Sequence, residues 1–224
     1  MIKCAMFDCG NVLVQFDTER FYSFIKQHRT NCLEPHELFS GSQRHIIIDY
    51  DLDKLTDLDF FNRVKEAFGL KDVHFEDFFY LIEDTITVDR EMLAIRDKLQ
   101  KKGVATVIVS NMNRFHFNYL RLNYPEVISG YNYSMISCEE GVAKPDSESW
   151  IRPLDFLGLK GEECLFIDDI IENINVASNL GIKGWHYNVR DVRLTGNGRL
   201  KYERKKLSDF LDLIWSIGVL VPFS

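Results

Sequence analysis

The chemistry-bearing residues of this 224-residue chain fall in four short stretches: Asp8-Cys9-Gly10-Asn11, Ser110-Asn111, Ala143-Lys144-Pro145-Asp146 and Asp168-Asp169. They offer three carboxylates, a hydroxyl, an amide and an ammonium. Carboxylates crowded together repel, and one keeps its proton unless a cation intervenes. A hard divalent ion such as Mg²⁺ suits such a set, because it takes carboxylate, carbonyl and water oxygens and bridges to phosphate. Lys144 would offset further charge and hold an oxyanion. Ser110 and Asn111 can donate to phosphate oxygens, and Gly10 and Gly141 admit close backbone approach. A carboxylate held this way can attack phosphorus and carry it as an aspartyl-phosphate. The metal and the lysine then stabilise charge on the transferring group.

These stretches are far apart in sequence, so the fold must assemble them. Three of them close apolar runs with strand character: 2–7 ends at Asp8, 104–109 at Ser110 and 164–167 at Asp168. The runs 133–136 and 182–187 have the same character. Most are continuous rather than alternating, as strands buried on both faces should be. Helical patterns lie between them. In 91–102, Met92, Leu93, Ile95 and Leu99 share a face, with Asp89 as a cap and Gly103 as a stop. The 170–180 pattern ends at Gly181. In 147–157, Pro153 must kink or split the helix. A last amphipathic helix is expected over 207–217. This alternation predicts an α/β, doubly wound parallel sheet with right-handed crossovers. Ligands bind such sheets beyond the carboxyl ends of the strands. Residues 15–87 differ. Phe21, Phe24 and Ile25, then Phe60, Phe61, Val64 and Phe68, have helical spacing and read as core packing. Only 46–48 is ambiguous with a strand. The chain therefore divides into a core domain, 1–14 and 88–224, and a helical subdomain, 15–87.

Bulk properties narrow the partners. Hydrophobic residues make up 46% of the chain and its net charge is −7. The first excludes global disorder, and the second disfavours nucleic acid. Five cysteines with no CxxC pair suggest neither a disulfide framework nor a zinc site. They point to a reducing, cytoplasmic setting. The N-terminus lacks the shape of a signal peptide, and no apolar stretch approaches membrane-spanning length. The apolar end, 219–224, reads as packing or a dimer contact, so a monomer or homodimer is expected. Cys9, without an activating base, is read as a packing residue. His45 and His116 are candidates to line a pocket, although packing or surface roles are favoured.

In order and spacing, the four stretches resemble the four motifs of the haloacid dehalogenase superfamily, over nearly the whole chain. Asp8 falls at the nucleophile position, Ser110 at the second-motif hydroxyl and Lys144 at the third. Asp168 and Asp169 fall at the acidic pair of the fourth, followed by Asn173, Ala177 and Gly181. The resemblance implies a Rossmann-like core with a helical cap inserted after the first strand. It also implies Mg²⁺ held by Asp8, the Gly10 carbonyl, Asp168 and Asp169, with Asp169 the favoured direct ligand. Asp8-Cys9-Gly10-Asn11-Val12-Leu13, Ser110-Asn111-Met112-Asn113 and Phe166-Ile167-Asp168-Asp169-Ile170-Ile171-Glu172-Asn173 resemble a subgroup of small sugar-phosphate phosphatases, including a glucose-1-phosphate phosphatase type. Arg44 and Arg114 are candidates to meet a second anionic group, with Arg114 better placed.

One position departs from the family pattern. Most phosphatases of the superfamily carry a second Asp two residues after the nucleophile, and here that residue is Gly10. Glycine cannot transfer a proton, a contribution typically worth about 10²–10⁴-fold. Asp17 is a candidate to reach back in its place. The expected function is a Mg²⁺-dependent phosphatase acting on a small phosphorylated metabolite through Asp8. A metal-free 2-haloacid dehalogenase is disfavoured, because Asp168 and Asp169 would crowd charge with no cation. The third reading, motivated by Gly10, is a weakly catalytic or non-catalytic metabolite- or protein-binding relative.

Overall fold

The computed structural model describes residues 1–187 and the backbone of a ribbon beyond them, Arg193–Leu194 paired antiparallel with Leu200–Lys201. In chain order the elements are β1 (Cys4–Phe7), β2 (Val14–Phe16), α1 (Thr18–His28), α2 (Glu37–Ser40), α3 (Arg44–Asp51), α4 (Asp57–Phe68), α5 (Phe75–Asp84) and β3 (Ile86–Val88). There follow α6 (Arg90–Lys101), β4 (Ala105–Ser110), α7 (Arg114–Asn123), α8 (Pro125–Ile128), β5 (Tyr133–Ile136), α9 (Ser137–Glu140), α10 (Glu148–Leu157), β6 (Cys164–Asp168), α11 (Ile171–Asn179) and β7 (Lys183–His186).

Every residue of β1 is buried, and alternate side chains go to opposite sides, as a two-residue period requires. Ala5 and Phe7 join Met92, Leu93, Ile95 and Leu99 of α6 and Leu120 of α7. Cys4 and Met6 join Trp150 of α10 and Ile174 and Ala177 of α11. A sheet covered on both faces is the doubly wound α/β arrangement. Its five strands run β5-β4-β1-β6-β7, all parallel, with Phe7 in register with Ile108 on one side and Ile167 on the other. The chain crosses from β1 to β4 in one direction and to β6 in the other. The carboxyl end of β1 is therefore the topological switch point.

Sequence periodicity placed the main elements, and the differences have physical causes. The run 46–48 is helical, within α3. Ile46 and Tyr50, one turn apart, are its buried residues, a pattern too short for period alone to decide. Pro153 does not split α10. Ser149, Trp150 and Pro153 form its buried side, and Trp150 meets Phe166 edge-on at 5.4 Å. That packing carries the helix past the missing N–H. Strands β2 and β3, three residues each, had too little pattern to be read. They pair antiparallel, Val14 with Val88 and Phe16 with Ile86, and carry the chain into and out of α1–α5.

Helices α1–α5 bury a separate cluster that includes Phe21, Ile25, Phe60, Phe61, Val64, Phe68 and Phe78. The start of α4 is fixed by a capping box, in which the Thr56 hydroxyl accepts from Asp59 N and the Asp59 carboxylate accepts from Thr56 N. Cys4 and Cys164 lie side by side across β1 and β6 as free, buried thiols. Cys9 is also free and buried. Among the described residues no helix is long and apolar enough to cross a membrane. The helix expected over 207–217 and the apolar end at 219–224 lie outside the described residues.

Candidate active site

The parallel register brings the ends of β1, β4 and β6 to one edge of the sheet. Asp8 follows β1, Ser110 closes β4 and Asp168 closes β6. Lys144 reaches this edge from the segment between α9 and α10. Its Nζ lies 2.8 Å from Asp8 Oδ1 and 2.7 Å from Asp168 Oδ2. All three side chains are withdrawn from solvent, with residue exposures of 6% for Asp8, 5% for Lys144 and 0% for Asp168. Burial works against the charge on Lys144, but the two carboxylates outweigh it and hold the ammonium charged.

Each carboxylate has a different environment. Asp8 Oδ1 also accepts from Cys9 N at 2.6 Å. Burial, with Asp168 and Asp169 adding, holds the Asp8 carboxyl above its ordinary range against the pull of Lys144. Asp168 is saturated by protein donors. Oδ1 accepts from Ile170 N at 2.7 Å, and Asn173 Nδ2 lies 3.2 and 3.0 Å from the two oxygens. Asp169 is less enclosed. Its Oδ2 accepts from Asn11 Nδ2 at 2.9 Å, and its carboxyl is raised by burial and Asp168, with Asn11 opposing. Asn11 makes that bond from the left-handed region, φ 55°, which asparagine tolerates better than most residues. One carboxylate oxygen from each of Asp8, Asp168 and Asp169 falls within 4.8 Å of the others.

Two residues expected to meet substrate are engaged otherwise. Asn111 clamps Lys144: its Nδ2 donates to Lys144 O at 2.8 Å and its Oδ1 accepts from Lys144 N at 2.7 Å. The amide therefore positions the lysine rather than offering both ends to phosphate. Arg114 is turned to the surface, ion-paired with Asp53 and Glu139, with Nη2 donating to Cys138 O. Its charge is spent on that carboxylate pair. Asp17, the candidate to reach back toward Gly10, caps α1, its Oδ1 accepting from Arg20 N at 3.0 Å. A Cβ on Gly10 would lie 3.4 Å from the Phe16 ring, so that ring lines the space an acid there would enter. Ser110 is buried at the end of β4, with only a long 3.5 Å contact from its hydroxyl to Asn111 O.

Helix α3 adds a residue that no motif marked. Asp51 Oδ1 accepts from Asn113 Nδ2 at 3.2 Å, and Asp51 O accepts from Ser137 Oγ at 2.6 Å. The same Ser137 hydroxyl accepts from Met112 N at 2.9 Å. Asp51 is thus fastened to the loop that follows Ser110. Burial pushes its carboxyl up to about 7, with the Asn113 amide and the Lys144 charge opposing. In the sequence it sits in Asp49-Tyr50-Asp51-Leu52-Asp53, which reads as a solvated acidic run. Reading 44–51 as a helix would have put it on one face with Arg44 and Ile48.

A family model for haloacid dehalogenase-like hydrolases matches residues 2–181. Acyl-CoA dehydrogenase family member 10 of Mus musculus is 32% identical over 85 residues, which are 38% of this chain and 8% of that protein. The sesquiterpene phosphatase astK of Aspergillus oryzae is 30% identical over 100 residues, 44% of this chain and 50% of the relative. The chain therefore spans half or less of these relatives' lengths. Among solved structures, a HAD family enzyme of Bacteroides thetaiotaomicron, in complex with magnesium and inorganic phosphate, superposes with a TM-score of 0.67 at 23% identity. That match covers 83% of this chain and 93% of the other.

Proposed function

Because this chain belongs to the haloacid dehalogenase-like hydrolases, we propose that it is a Mg²⁺-dependent phosphatase of a small phosphorylated metabolite, with Asp8 as its nucleophile and α1–α5 as its cap. The observation that carries this reading is the charge count at the β-strand edge. Three carboxylates, from Asp8, Asp168 and Asp169, face one ammonium. That leaves an acidic oxygen cluster of the kind a hard divalent ion neutralises. The phosphatase relative and the magnesium- and phosphate-bound neighbour support the same direction. The free cysteines fit a reducing, cytoplasmic setting.

The residues present fit the metal. Asp8, Asp169 and the Gly10 carbonyl would hold it, while Asp168, saturated by Lys144, Ile170 N and Asn173, orients the lysine. Bound there, Mg²⁺ would offset negative charge on the phosphoryl group. The protein does the rest. Asp8 Oδ1 meets Cys9 N and Lys144 Nζ, which fix the carboxylate that would attack phosphorus. Lys144, fixed by Asn111, presents positive charge beside the nucleophile. Ser110, at the end of β4, supplies a hydroxyl donor on the opposite side of Asp8 from β6.

Phosphate release should appear with Mg²⁺ in a screen of sugar and alkyl phosphates. Asp8→Asn should abolish it, and so should EDTA. Halide release from a 2-haloacid that ignores EDTA, with no phosphate release from any phosphomonoester, would overturn this reading.

A further inference from the structure

We propose that Asp51, from the helical insert, is the general acid and then the general base of this reaction, in the role that Gly10 cannot fill; the proposal rests on the phosphatase reading above. The placement of α3 carries it. Arg44, Ile48 and Asp51 stand at i, i+4 and i+7, on one helix face. The contacts fix where that face points. At its start, Arg44 Nη2 lies 3.7 Å from Glu172 Oε2, at the beginning of α11 and just past Asp168 and Asp169. At its end, Asp51 is bonded to Asn113 and Ser137 beside the loop after β4. Ile46 and Tyr50 turn the other way, into the insert's own cluster. In the sheet β1 lies between β4 and β6. A helix tied to the segment after β4 and to the first turn of α11 after β6 spans the end of β1, where Asp8 sits.

The chemistry agrees with the placement. Asn113 Nδ2 donates to Asp51 Oδ1, leaving Oδ2 to carry a proton. The group titrates near neutrality, so acid and base forms are both populated, as a group that gives and then takes a proton requires. The titratable and charged groups around it do not compete for that role. Lys144 stays protonated, Tyr50 and Cys138 stay neutral, and His116, across Asn113, is held down at about 4. Asp53 and Glu139 are committed to Arg114.

The steps balance without any redox partner. A carboxylate oxygen of Asp8 forms a bond to phosphorus as the bond from phosphorus to the leaving oxygen breaks. The Asp51 proton passes to that oxygen, releasing the alcohol. Asp51, now a carboxylate, takes a proton from water as the water oxygen bonds to phosphorus. The bond from phosphorus to Asp8 breaks, giving inorganic phosphate, a free Asp8 carboxylate and a protonated Asp51.

First-turnover kinetics with Mg²⁺ test this, using p-nitrophenyl phosphate and an alkyl monophosphate on wild type and Asp51→Asn. Nitrophenolate leaves without a proton, so the variant should release it in a first-turnover burst near the wild-type rate and then stall, because water lacks its base. The alkyl phosphate should lose about 100-fold or more in its first turnover, and the limb of the pH–rate profile near 7 should flatten. Equal losses on both substrates would mark Asp51 as a purely structural residue and overturn the proposal. So would unchanged rates on both. Should the variant fail to fold, the wild type decides: a steep fall in first-turnover rate with rising leaving-group pKa would overturn it. Wild-type inactivity on every phosphomonoester would defeat the phosphatase reading itself. Wild-type activity retained in Asp51→Asn would defeat this proposal alone.

Discussion

Lys144 shows what one side chain does at this edge. It is the shared partner of Asp8 and Asp168, at 2.8 and 2.7 Å, and all three are buried. Removing one member of a buried ionic group costs about 3–5 kcal/mol, because the remaining charges lose their partner. Lys144→Met should therefore unfold at a clearly lower temperature than the wild type. Roughly 2–4 °C per kcal/mol is expected for a chain of this size. If the carboxylates hold Mg²⁺, the ion should recover more of the melting temperature in the variant than it adds to the wild type. Thermal melts with Mg²⁺ and with EDTA, on both proteins, measure this. An identical Mg²⁺ shift in the two would mean that Lys144 and the ion do not act on the same charges.

The elements differ in how much of them was legible in the sequence. Strands β1, β4 and β6 are apolar runs ended by polar residues, so the amino-acid pattern alone reveals them and the residues they deliver, Asp8, Ser110 and Asp168. The α6 pattern, with its Asp89 cap, was equally plain, and Asp89 Oδ1 does accept from Met92 N at 2.9 Å. What could not be read was docking. Asp51 acquires its neighbours only because α3 packs down on the loop after β4. Asn111 looks like a free amide until Lys144 folds against it, and Arg114 looks like a free cation until Asp53 and Glu139 reach it. Local signals also set element stability. The capping box at Thr56 fixes the start of α4, and Thr56→Ala should cost about 1 kcal/mol. Denaturant unfolding should register that loss while turnover stays at the wild-type level, because α4 supplies no residue to the strand edge.

Across the whole molecule, two hydrophobic clusters meet near His116. Its ring lies 5.4 Å from Phe16, beside Gly10, and 5.8 Å from Phe115. Phe115 in turn packs on Phe79 of the insert at 4.6 Å. His116 Nδ1 faces Asn113 Nδ2 at 3.1 Å, its Nε2 is buried with no partner among the described residues, and burial lowers its pKa to about 4. An unfolded histidine takes its proton near 6.5. Between about 6.5 and 4 the unfolded chain therefore binds a proton that the folded one refuses, and stability falls as pH falls through that window. The loss due to this residue should be on the order of 2 kcal/mol between pH 7.5 and 5. The raised carboxyls of Asp8 and Asp51 gain stability over the same window, so the His116 loss is read as the difference in pH dependence between the wild type and His116→Phe in denaturant unfolding at both values. The pairing of β2 with β3 has a different consequence. Val14 faces Val88 and Phe16 faces Ile86, so to the sheet everything from 17 to 85 is the turn of one hairpin. Lengthening a closed loop is cheap, about 0.6 kcal/mol for each doubling. A turn of another length and composition could be grafted onto the same two strands with no core strand changing register. The insert, which carries Asp51, and the carboxylates at the strand edge are thus written in separate stretches of chain.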